Sequence, residues 1–240
     1  MKRFGFALVF LSMFAFSCLQ AQPMPKTYSE SRYGKLEYGF YIPEKYDKTK
    51  SYPLVMFLHG WSANQPAYLE CYNSSMQAKH PCFVFTPRTP TTWADWSGWN
   101  DTSLSESMQA AIHVLDSLIH KYPVDTTRLY VYGISMGGEG VFDLLHKLPN
   151  KFASAISICG GGQAGWAENI AKTPLWMFHG SDDNINKSEL TERVYNRLVE
   201  IGAKQMRYTN YPGYGHEIWH KAQSEPDFYD WMFLYTKPKK

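Results

Sequence analysis

Beyond residue 50 the chain carries five predominantly apolar runs, each short and bounded by polar or turn-forming residues. Runs of this kind are typical of strands that are buried on both faces of a parallel sheet. An earlier segment, residues 36–43, instead alternates apolar and polar positions, which indicates an antiparallel strand with one exposed face. A last strand is predicted at residues 206–213. The five continuous runs are residues 52–60, 81–87, 128–135, 152–160 and 174–181.

Between the apolar runs, hydrophobic positions recur at the helical period. In residues 105–122 they fall on one face of a helix, with Ser105 as its N-cap. Strands that alternate with helices predict an α/β fold with a doubly wound, mostly parallel sheet and right-handed crossovers. No linker divides the chain, so residues 22–240 are predicted to form a single domain. Further helices are predicted at residues 136–148, 187–202 and 227–236.

The first 21 residues differ from the rest and predict a secretory signal peptide. Two basic residues precede an apolar run from Phe4 to Phe16, and small and polar residues follow. The run is short for a transmembrane span, and cleavage is expected after Ala21. Cys18 offers an alternative, a lipid-anchored envelope protein. The expected location is therefore secreted or periplasmic, with a lipid anchor as the second possibility.

Charge excludes one class of partner. The chain has 24 Lys and Arg residues against 22 Asp and Glu residues, and the predicted leader carries two of the basic ones and no acidic one. The mature protein is thus expected to be neutral, without the basic stripe that nucleic-acid binding requires. Because no second long apolar stretch follows the leader, no membrane span is expected in the mature chain.

Three cysteines follow the leader. Cys82 and Cys159 lie inside apolar runs and are expected to be buried thiols. An odd number of cysteines does not form a disulfide framework. A single bridge between Cys71 and Cys82 is the alternative.

The segment YVYGISMGGEG contains the sequence G-x-S-x-G at the junction of a predicted strand and a predicted helix. This context is typical of a nucleophile elbow, a sharp turn whose flanking residues must be small. Gly133 and Gly137 meet that demand, and Ser135 would lie near a helix N-terminus, where developing negative charge is favoured. The sequence therefore predicts Ser135 as a nucleophile; a glycine-rich helix start with a serine cap is the alternative.

A serine nucleophile needs a base and an acid, which follow it in chain order in this kind of fold. Among the later histidines, His216 lies in a glycine-rich loop after the last strand, and His220 is the weaker candidate. The acid is expected at the end of the preceding strand, where both Asp182 and Asp183 stand. Spacing alone does not choose between the two aspartates.

Two backbone N–H groups are expected to stabilise an oxyanion. One belongs to Met136, the residue after the nucleophile. The other belongs to Trp61, which follows the turn His59–Gly60 after an early strand. None of these motifs implies a metal ion or a cofactor.

Five segments, taken in order and spacing, resemble small α/β-hydrolases of the dienelactone-hydrolase-like and prolyl-oligopeptidase-like superfamily. Within it they are most similar to secreted bacterial esterases, namely feruloyl-esterase-like, acetylxylan-esterase-like and polyhydroxybutyrate-depolymerase-like proteins. The likeness spans residues 33–236. It implies a mostly parallel sheet flanked by helices, without a large lid. The segments are YPLVMFLHG, GISMGG, FASAISICGGG, FHGSDDN and YPGYGHEIW.

The resemblance also implies site residues. The family pattern H-G-x-x-D selects Asp183 as the acid, and the pattern G-H-x-x-W selects His216 as the base, with Trp219 behind it. Two positions depart from the family: Trp61 stands where a small residue is usual, and Glu139 stands where an aromatic or small residue is usual. Glu139 would either act on the helix dipole or polarise the site.

Intervals of about 48 and 33 residues separate the serine, acid and base candidates, which leaves no room for a long lid. An open cleft suits a bulky or polymeric substrate. The predicted substrate-binding residues are Glu139 and the aromatic side chains that could stack on sugar or aryl groups; packing of these indoles against the helix near Ser105 is the alternative. The aromatic candidates are Trp93, Trp96, Trp99, Trp166 and Trp219.

The expected function is a secreted serine esterase that cleaves acyl or feruloyl esters on plant polysaccharide. A serine peptidase of the prolyl-oligopeptidase-like group is one alternative. A carbohydrate-binding protein on the same fold, without catalysis, is another.

Overall fold

A computed structural model describes residues 26–31, 34–43, 45–61, 74–89, 96–98 and 102–239. The predicted leader with Cys18 lies outside the described residues, and so do Cys71, Trp93 and Trp99.

Within these ranges, eight strands form one sheet in the order β1-β2-β4-β3-β5-β6-β7-β8. Strands β1 and β2 form an antiparallel hairpin, and β2 pairs antiparallel with β4. All pairs from β4 through β3 to β8 are parallel. The strands are β1 (Lys26–Ser31), β2 (Gly34–Tyr41), β3 (Tyr52–Leu58), β4 (Phe83–Pro87), β5 (Val124–Ile134), β6 (Ser154–Ile158), β7 (Leu175–Gly180) and β8 (Met206–Tyr211).

Helices cover both faces of this sheet, as the doubly wound prediction requires. Successive residues of β3 separate onto the two faces, with Leu54 and Met56 in one apolar core and Val55 and Phe57 in the other. The first core includes residues of α2 to α5, and the second includes residues of α1, α6 and α7. The α-helices of the described ranges are α1 (Ser74–Lys79), α2 (Glu106–Lys121), α3 (Met136–Lys147), α4 (Ala167–Ile170), α5 (Ser188–Glu200), α6 (Trp219–Gln223) and α7 (Phe228–Phe233).

Burial on both faces explains the continuous apolar runs in the sequence. All seven residues of β3 and all five of β6 are buried. Each large aliphatic or aromatic side chain that is removed from water contributes about 1.5–3 kcal/mol before the entropy cost of folding. The parallel half of the sheet is therefore buried on both faces, and the loops that carry the candidate site residues follow directly from these buried strands.

The predicted strands and helices are present, and the structure adds β1 and three short helices that the sequence does not predict, α1, α4 and α6. Strand β1 was not predicted, because its segment KTYSES is polar and the strand forms by pairing with β2 along the sheet edge. Strand β5 begins at Val124 rather than at residue 128. The earlier start leaves no signal in the sequence, because the first five residues of the strand are not fully buried and form no apolar run.

Cys82 and Cys159 are buried free thiols, as their apolar surroundings predicted. The Cys82 sulfur lies 3.4 Å from Nε2 of Gln77. None of the helices in the described ranges combines the length and the hydropathy needed to cross a bilayer.

Candidate active site

Three parallel strands bring the candidate residues to one edge of the sheet. Strands β5, β7 and β8 all point the same way, so their carboxyl ends lie on the same side. Ser135 directly follows β5, Asp183 follows β7 by three residues, and His216 follows β8 by five. Ligand sites of open α/β sheets form at this edge.

Ser135 occupies a strained turn between β5 and α3. Its φ of 56° and ψ of −119° are unfavourable for a residue with a side chain. The turn is held by the Ser135 N–H, which donates to the carbonyl oxygen of Ile158 at 2.8 Å. Helix α3 begins at the next residue, so Ser135 lies at its N-terminus, and no hydrogen bond from the Ser135 side chain caps that helix. The alternative of a serine cap is therefore not realised.

The two glycines of the motif permit a close approach of backbone segments. A Cβ at Gly137 would lie 2.1 Å from the carbonyl oxygen of Leu58 on β3, and a Cβ at Gly133 would lie 2.2 Å from the carbonyl oxygen of Gly137. Real Cβ contacts are essentially never this short. The sequence G-x-S-x-G is thus required by the packing of α3 against β3 and β5.

The imidazole of His216 joins the serine and the aspartate. Nε2 of His216 lies 2.8 Å from Oγ of Ser135, and Nδ1 lies 2.7 Å from Oδ2 of Asp183. An ionised carboxylate only accepts hydrogen bonds, so Nδ1 carries the proton. Nε2 of the neutral ring is then available to accept the hydroxyl proton of Ser135. This arrangement can abstract a proton from the serine while the aspartate orients the ring.

Asp183 is held in place by four donors. Oδ1 accepts from the backbone N–H groups of Ile185 and Asn186, both at 2.9 Å. Oδ2 faces His216 and also Nε2 of His179, at 3.2 Å. The Asp183 side chain has no exposed surface, and a buried carboxylate needs this number of partners.

The neighbouring aspartate is placed differently. Asp182 is exposed, and its Oδ1 accepts from the hydroxyl of Ser181 at 2.6 Å. The structure therefore puts Asp183, and not Asp182, against His216. His220 lies on α6, exposed to solvent, and it is His216 that contacts the serine.

The turn after β3 lies beside Ser135. A Cβ at Gly60 would be 3.5 Å from Cβ of Ser135. Nε2 of His59 accepts from the N–H of Thr89 at 3.1 Å, so its Nδ1 must carry the proton and donates to the carbonyl oxygen of Gly60 at 2.6 Å. Burial lowers the pKa of His59, which favours this neutral form.

That hydrogen bond fixes the orientation of the peptide between Gly60 and Trp61. In a trans peptide the N–H points opposite to the carbonyl, and no cis bond occurs in the described residues. The N–H of Trp61 therefore points away from the His59 ring. The Met136 N–H belongs to the first residue of α3 and has no acceptor within its own helix.

The expectation that Trp96 and Trp166 stack on substrate is wrong in this structure, because neither indole reaches the surface. Trp96 has no exposed area, and its Nε1 donates to the carbonyl oxygen of His59 at 3.1 Å. The hydroxyl of Ser105 donates to the carbonyl oxygen of Trp96, so the packing alternative holds for this residue. Trp166 is 2% exposed and stacks on the ring of His146.

Trp61, Trp219 and Glu139 remain near the site. Trp61 is 58% exposed. Trp219 is half-buried, and its ring meets that of His216 edge-on with 6.4 Å between the centroids. Glu139 lies in the first turn of α3 and is also half-buried. Their contact with substrate stays a prediction.

A buried thiol, that of Cys159, also lies near the site. Burial raises the pKa of the Cys159 thiol, and the nearby carboxylates of Asp183 and Glu139 raise it further. A raised pKa favours the neutral thiol over the nucleophilic thiolate. In the described ranges, no three His, Cys, Asp or Glu side chains are grouped as ligands for a metal ion.

Two contacts of the site were missed in the sequence. The ring of His179 contacts Asp183, and the ring of His59 contacts the Gly60 carbonyl. The available signal was their place directly before a glycine at the end of a buried strand, where a side chain is held close to the functional edge.

Comparisons with known proteins identify the family and the fold of this chain. The sequence profile of the phospholipase/carboxylesterase family matches residues 42–225. A bifunctional acetylxylan esterase/xylanase of Neocallimastix patriciarum is 24% identical over 165 residues, which is 67% of this chain and 24% of that protein. The chain thus spans about a quarter of the length of that relative.

Solved structures show the same fold. A thermostable esterase superposes with a TM-score of 0.80 at 28% identity and covers 89% of this chain and 63% of its own. The feruloyl esterase module of Clostridium thermocellum, solved with sinapinate, gives a TM-score of 0.72 at 14% identity, over 93% of this chain and 92% of the module. The fold predicted by resemblance, that of an α/β-hydrolase, is confirmed.

Proposed function

The chain belongs to the phospholipase/carboxylesterase family, and from this premise we propose that it hydrolyses carboxylic esters through a covalent acyl-enzyme. Ser135 is the nucleophile, His216 the general base and acid, and Asp183 the group that orients His216. The observation that supports these roles best is the position of one imidazole within hydrogen-bond distance of both other side chains, at 2.8 and 2.7 Å.

In the first step Oγ of Ser135 attacks the ester carbonyl while Nε2 of His216 takes the hydroxyl proton. The imidazolium that forms is stabilised by Asp183. His216 then returns this proton to the departing alcohol, and the acyl group remains on Ser135. In the second step a water molecule, deprotonated by His216, attacks the acyl-enzyme. The acid is released and Ser135 recovers its proton.

The carbonyl oxygen becomes an oxyanion in each tetrahedral intermediate. We assign its donors to the backbone N–H groups of Met136 and Trp61. The position of Met136 at the start of α3 and the orientation of the Gly60–Trp61 peptide support this assignment. Each such donor is worth roughly 100- to 1000-fold in rate.

For the substrate we propose an acetyl or aryl ester carried by a polysaccharide. The support is of two kinds. Relatives named for acetylxylan and feruloyl esters share the fold. Three exposed apolar side chains lie on the loops that follow β3, β7 and β8, at the same edge of the sheet as Ser135: Trp61, Ile185 and Tyr214. We also keep the proposal from the sequence that Trp93, Trp99, Trp219 and Glu139 bind the substrate.

We also propose that the protein is exported by the leader of residues 1–21, with cleavage after Ala21 or lipidation at Cys18. Mass spectrometry of the protein isolated from its native host separates the two, because lipidation would leave Cys18 at the N-terminus with an added mass. An intact Met1 on the isolated protein would contradict both.

Hydrolysis of p-nitrophenyl acetate by the wild type and by Ser135→Ala tests the catalytic proposal. The variant should lose essentially all activity, because the remaining oxyanion donors cannot form an acyl-enzyme. Ser117→Ala is the matched control, since Ser117 is an exposed serine on α2 that bonds only within its helix. Equal rates above the uncatalysed background would contradict the role of Ser135, and background rates for both proteins would favour a non-catalytic binding protein.

A panel of acetylated, feruloylated and longer-chain esters on xylo-oligosaccharides tests the substrate class. The highest kcat/KM is expected for acetyl or feruloyl esters attached to sugar. A preference for long acyl chains on glycerol would overturn the assignment to polysaccharide esters and leave the esterase proposal intact.

A further inference from the structure

His179 is a completely buried histidine that takes no part in the proton transfers described above. It is the penultimate residue of β7, and it lies four residues before Asp183. Its ring has three polar neighbours. Nδ1 lies 2.9 Å from Oγ1 of Thr191, and Nε2 lies 2.9 Å from the carbonyl oxygen of Asn186 and 3.2 Å from Oδ2 of Asp183.

The neighbours of Nε2 can only accept hydrogen bonds. One is a backbone carbonyl and the other is a carboxylate, and neither offers a proton. Nε2 must therefore carry a hydrogen, which it shares between the Asn186 carbonyl and the Asp183 carboxylate.

The neighbour of Nδ1 leads to the same result. Thr191 has one hydroxyl proton, and its Oγ1 lies 2.9 Å from the carbonyl oxygen of Gly160, which is a pure acceptor. When Thr191 donates to Gly160, it has only lone pairs left for the ring. Nδ1 of His179 must then carry a hydrogen as well.

We propose that His179 is a doubly protonated, cationic positioning residue that holds Asp183 by a buried ion pair. This inference rests on the proposed function, in which Asp183 orients His216. The ion pair satisfies the fourth acceptor site of Asp183, next to the two backbone donors and His216. It also places a positive charge against the carboxylate that stabilises the His216 imidazolium.

Other charged and titratable groups near His179 are few in the described structure. The loop after β8 supplies His216, which reaches His179 only through Asp183. The turn after β6 supplies the Cys159 thiol, a neutral group because burial raises its pKa, and α3 supplies Glu139. Helix α5 supplies Thr191, which does not titrate.

His59 is a second buried histidine of the same protein, and its hydrogen-bond partners indicate a neutral ring instead of a cationic one. It is also buried, but Nε2 of His59 faces a backbone N–H and Nδ1 faces a carbonyl oxygen. One donor and one acceptor fit a neutral ring with a single proton. The same count of hydrogen-bond donors and acceptors around the ring thus assigns two protons to His179 and one proton to His59.

The first test needs no substitution. Long-range 1H–15N correlation spectra of protein labelled with 15N-histidine show which ring nitrogens are protonated at about pH 7.5, where an unperturbed imidazole is mostly neutral. His179 should show two protonated nitrogens and His59 one. A His179 ring with one unprotonated nitrogen would overturn the proposal, since Thr191 would then donate to the ring. This result does not depend on whether Ser135 is the nucleophile.

The second test separates charge from position. In His179→Gln the side-chain amide can still donate to Asp183, but the positive charge is lost. Asp183 should then stabilise the charged His216 ring more strongly, so the acid limb of the kcat/KM profile should move to higher pH by about one unit, with KM unchanged. An acid limb that stays in place or moves to lower pH would overturn the charge assignment.

His179→Leu removes the donor as well as the charge. A loss of roughly 10- to 100-fold in kcat is expected, because misplacement of a catalytic group by about 1 Å has effects of this size. His146→Gln is the matched control, since His146 is a partly buried histidine that stacks on Trp166 and bonds Asn169 away from the site. Unchanged kcat in His179→Leu would contradict a positioning role. If Ser135→Ala retained activity, the proposed function would fail, and the spectra would still decide the charge of His179.

Discussion

Nδ1 of His216 lies 2.7 Å from Oδ2 of Asp183, and the two residues come from loops that are 33 positions apart in the chain. The carboxylate is buried, so the contact is shielded from water and salt. Asp182, one residue earlier, is exposed and makes no such contact among its described hydrogen bonds. Two adjacent aspartates thus have very different roles on the proposed mechanism.

Asp183→Asn should lower kcat by about 10,000-fold, because the amide favours the wrong tautomer of the histidine, as it does in the serine-protease triad. Asp182→Asn is the matched control and should retain wild-type kcat. Both are measured with p-nitrophenyl acetate under saturating conditions. A large loss in Asp182→Asn with activity retained in Asp183→Asn would reverse the assignment of the acid.

The strained turn at Ser135 predicts a trade-off between stability and activity. Ser135→Gly removes both the nucleophile and the penalty of a positive φ, whereas Ser135→Ala removes the nucleophile and keeps the penalty. Strain of this kind costs about 1–3 kcal/mol, and glycine relieves it. Glycine also destabilises the folded state by about 0.4–1 kcal/mol, because it raises the conformational entropy of the unfolded chain. The glycine variant should therefore be more stable than the alanine variant by about 1 kcal/mol in urea denaturation. Equal stabilities would contradict a strain larger than the cost of about 0.4–1 kcal/mol that glycine adds through the entropy of the unfolded chain.

The close approach of α3 to β3 predicts intolerance to a single methyl group. Gly137→Ala should destabilise the protein by about 3 kcal/mol or more, because the new Cβ would overlap the Leu58 carbonyl and move the helix that follows Ser135. Gly165→Ala is the control, since no atom lies within 4 Å of a Cβ there. Thermal unfolding measures both. A Tm for Gly137→Ala as high as that for Gly165→Ala would contradict the packing described for the elbow.

The buried ring of His59 predicts a dependence of stability on pH. Burial lowers the pKa of His59 from its ordinary value of 6.5, so the unfolded chain takes up the proton first as the pH falls. Its contribution is therefore fully present above pH 6.5 and is lost as the pH falls through the folded-state value. Between about pH 7 and pH 5 the free energy of unfolding of the wild type should fall more steeply than that of His59→Gln. Parallel curves for the two proteins would exclude His59 as the source of the difference.

The parts of the fold that were predictable are those with burial on both faces. Continuous apolar runs mark β3 to β7, since a strand that is buried on both faces needs apolar residues in succession. Strand β1 was not predictable in this way. Its polar segment is ordered by hydrogen bonds to β2 at the sheet edge, and this pairing leaves no hydrophobic pattern in the sequence.

Some residues of the candidate site could be predicted from the sequence and others could not. Ser135 could be found because the elbow requires glycines at fixed positions, and His216 because it follows the last strand. The role of Trp96 could not be assigned from sequence, because the apolar ring and the single N–H donor of an indole suit both a buried core and an exposed binding surface. In the structure the indole nitrogen of Trp96 donates a hydrogen bond to the carbonyl oxygen of His59, and the ring lies in the core.

The order of the site residues along the chain has a consequence for biosynthesis. Ser135 and His216 are 81 positions apart, and His216 reaches the serine only after β8 has paired with β7. A chain in which β8 has not yet paired therefore has its nucleophile without a base to activate it. On the proposed mechanism, the protein can cleave esters only when β8 has paired with β7 and has brought His216 to Ser135. The onset of esterase activity during refolding would therefore report the pairing of the last strand.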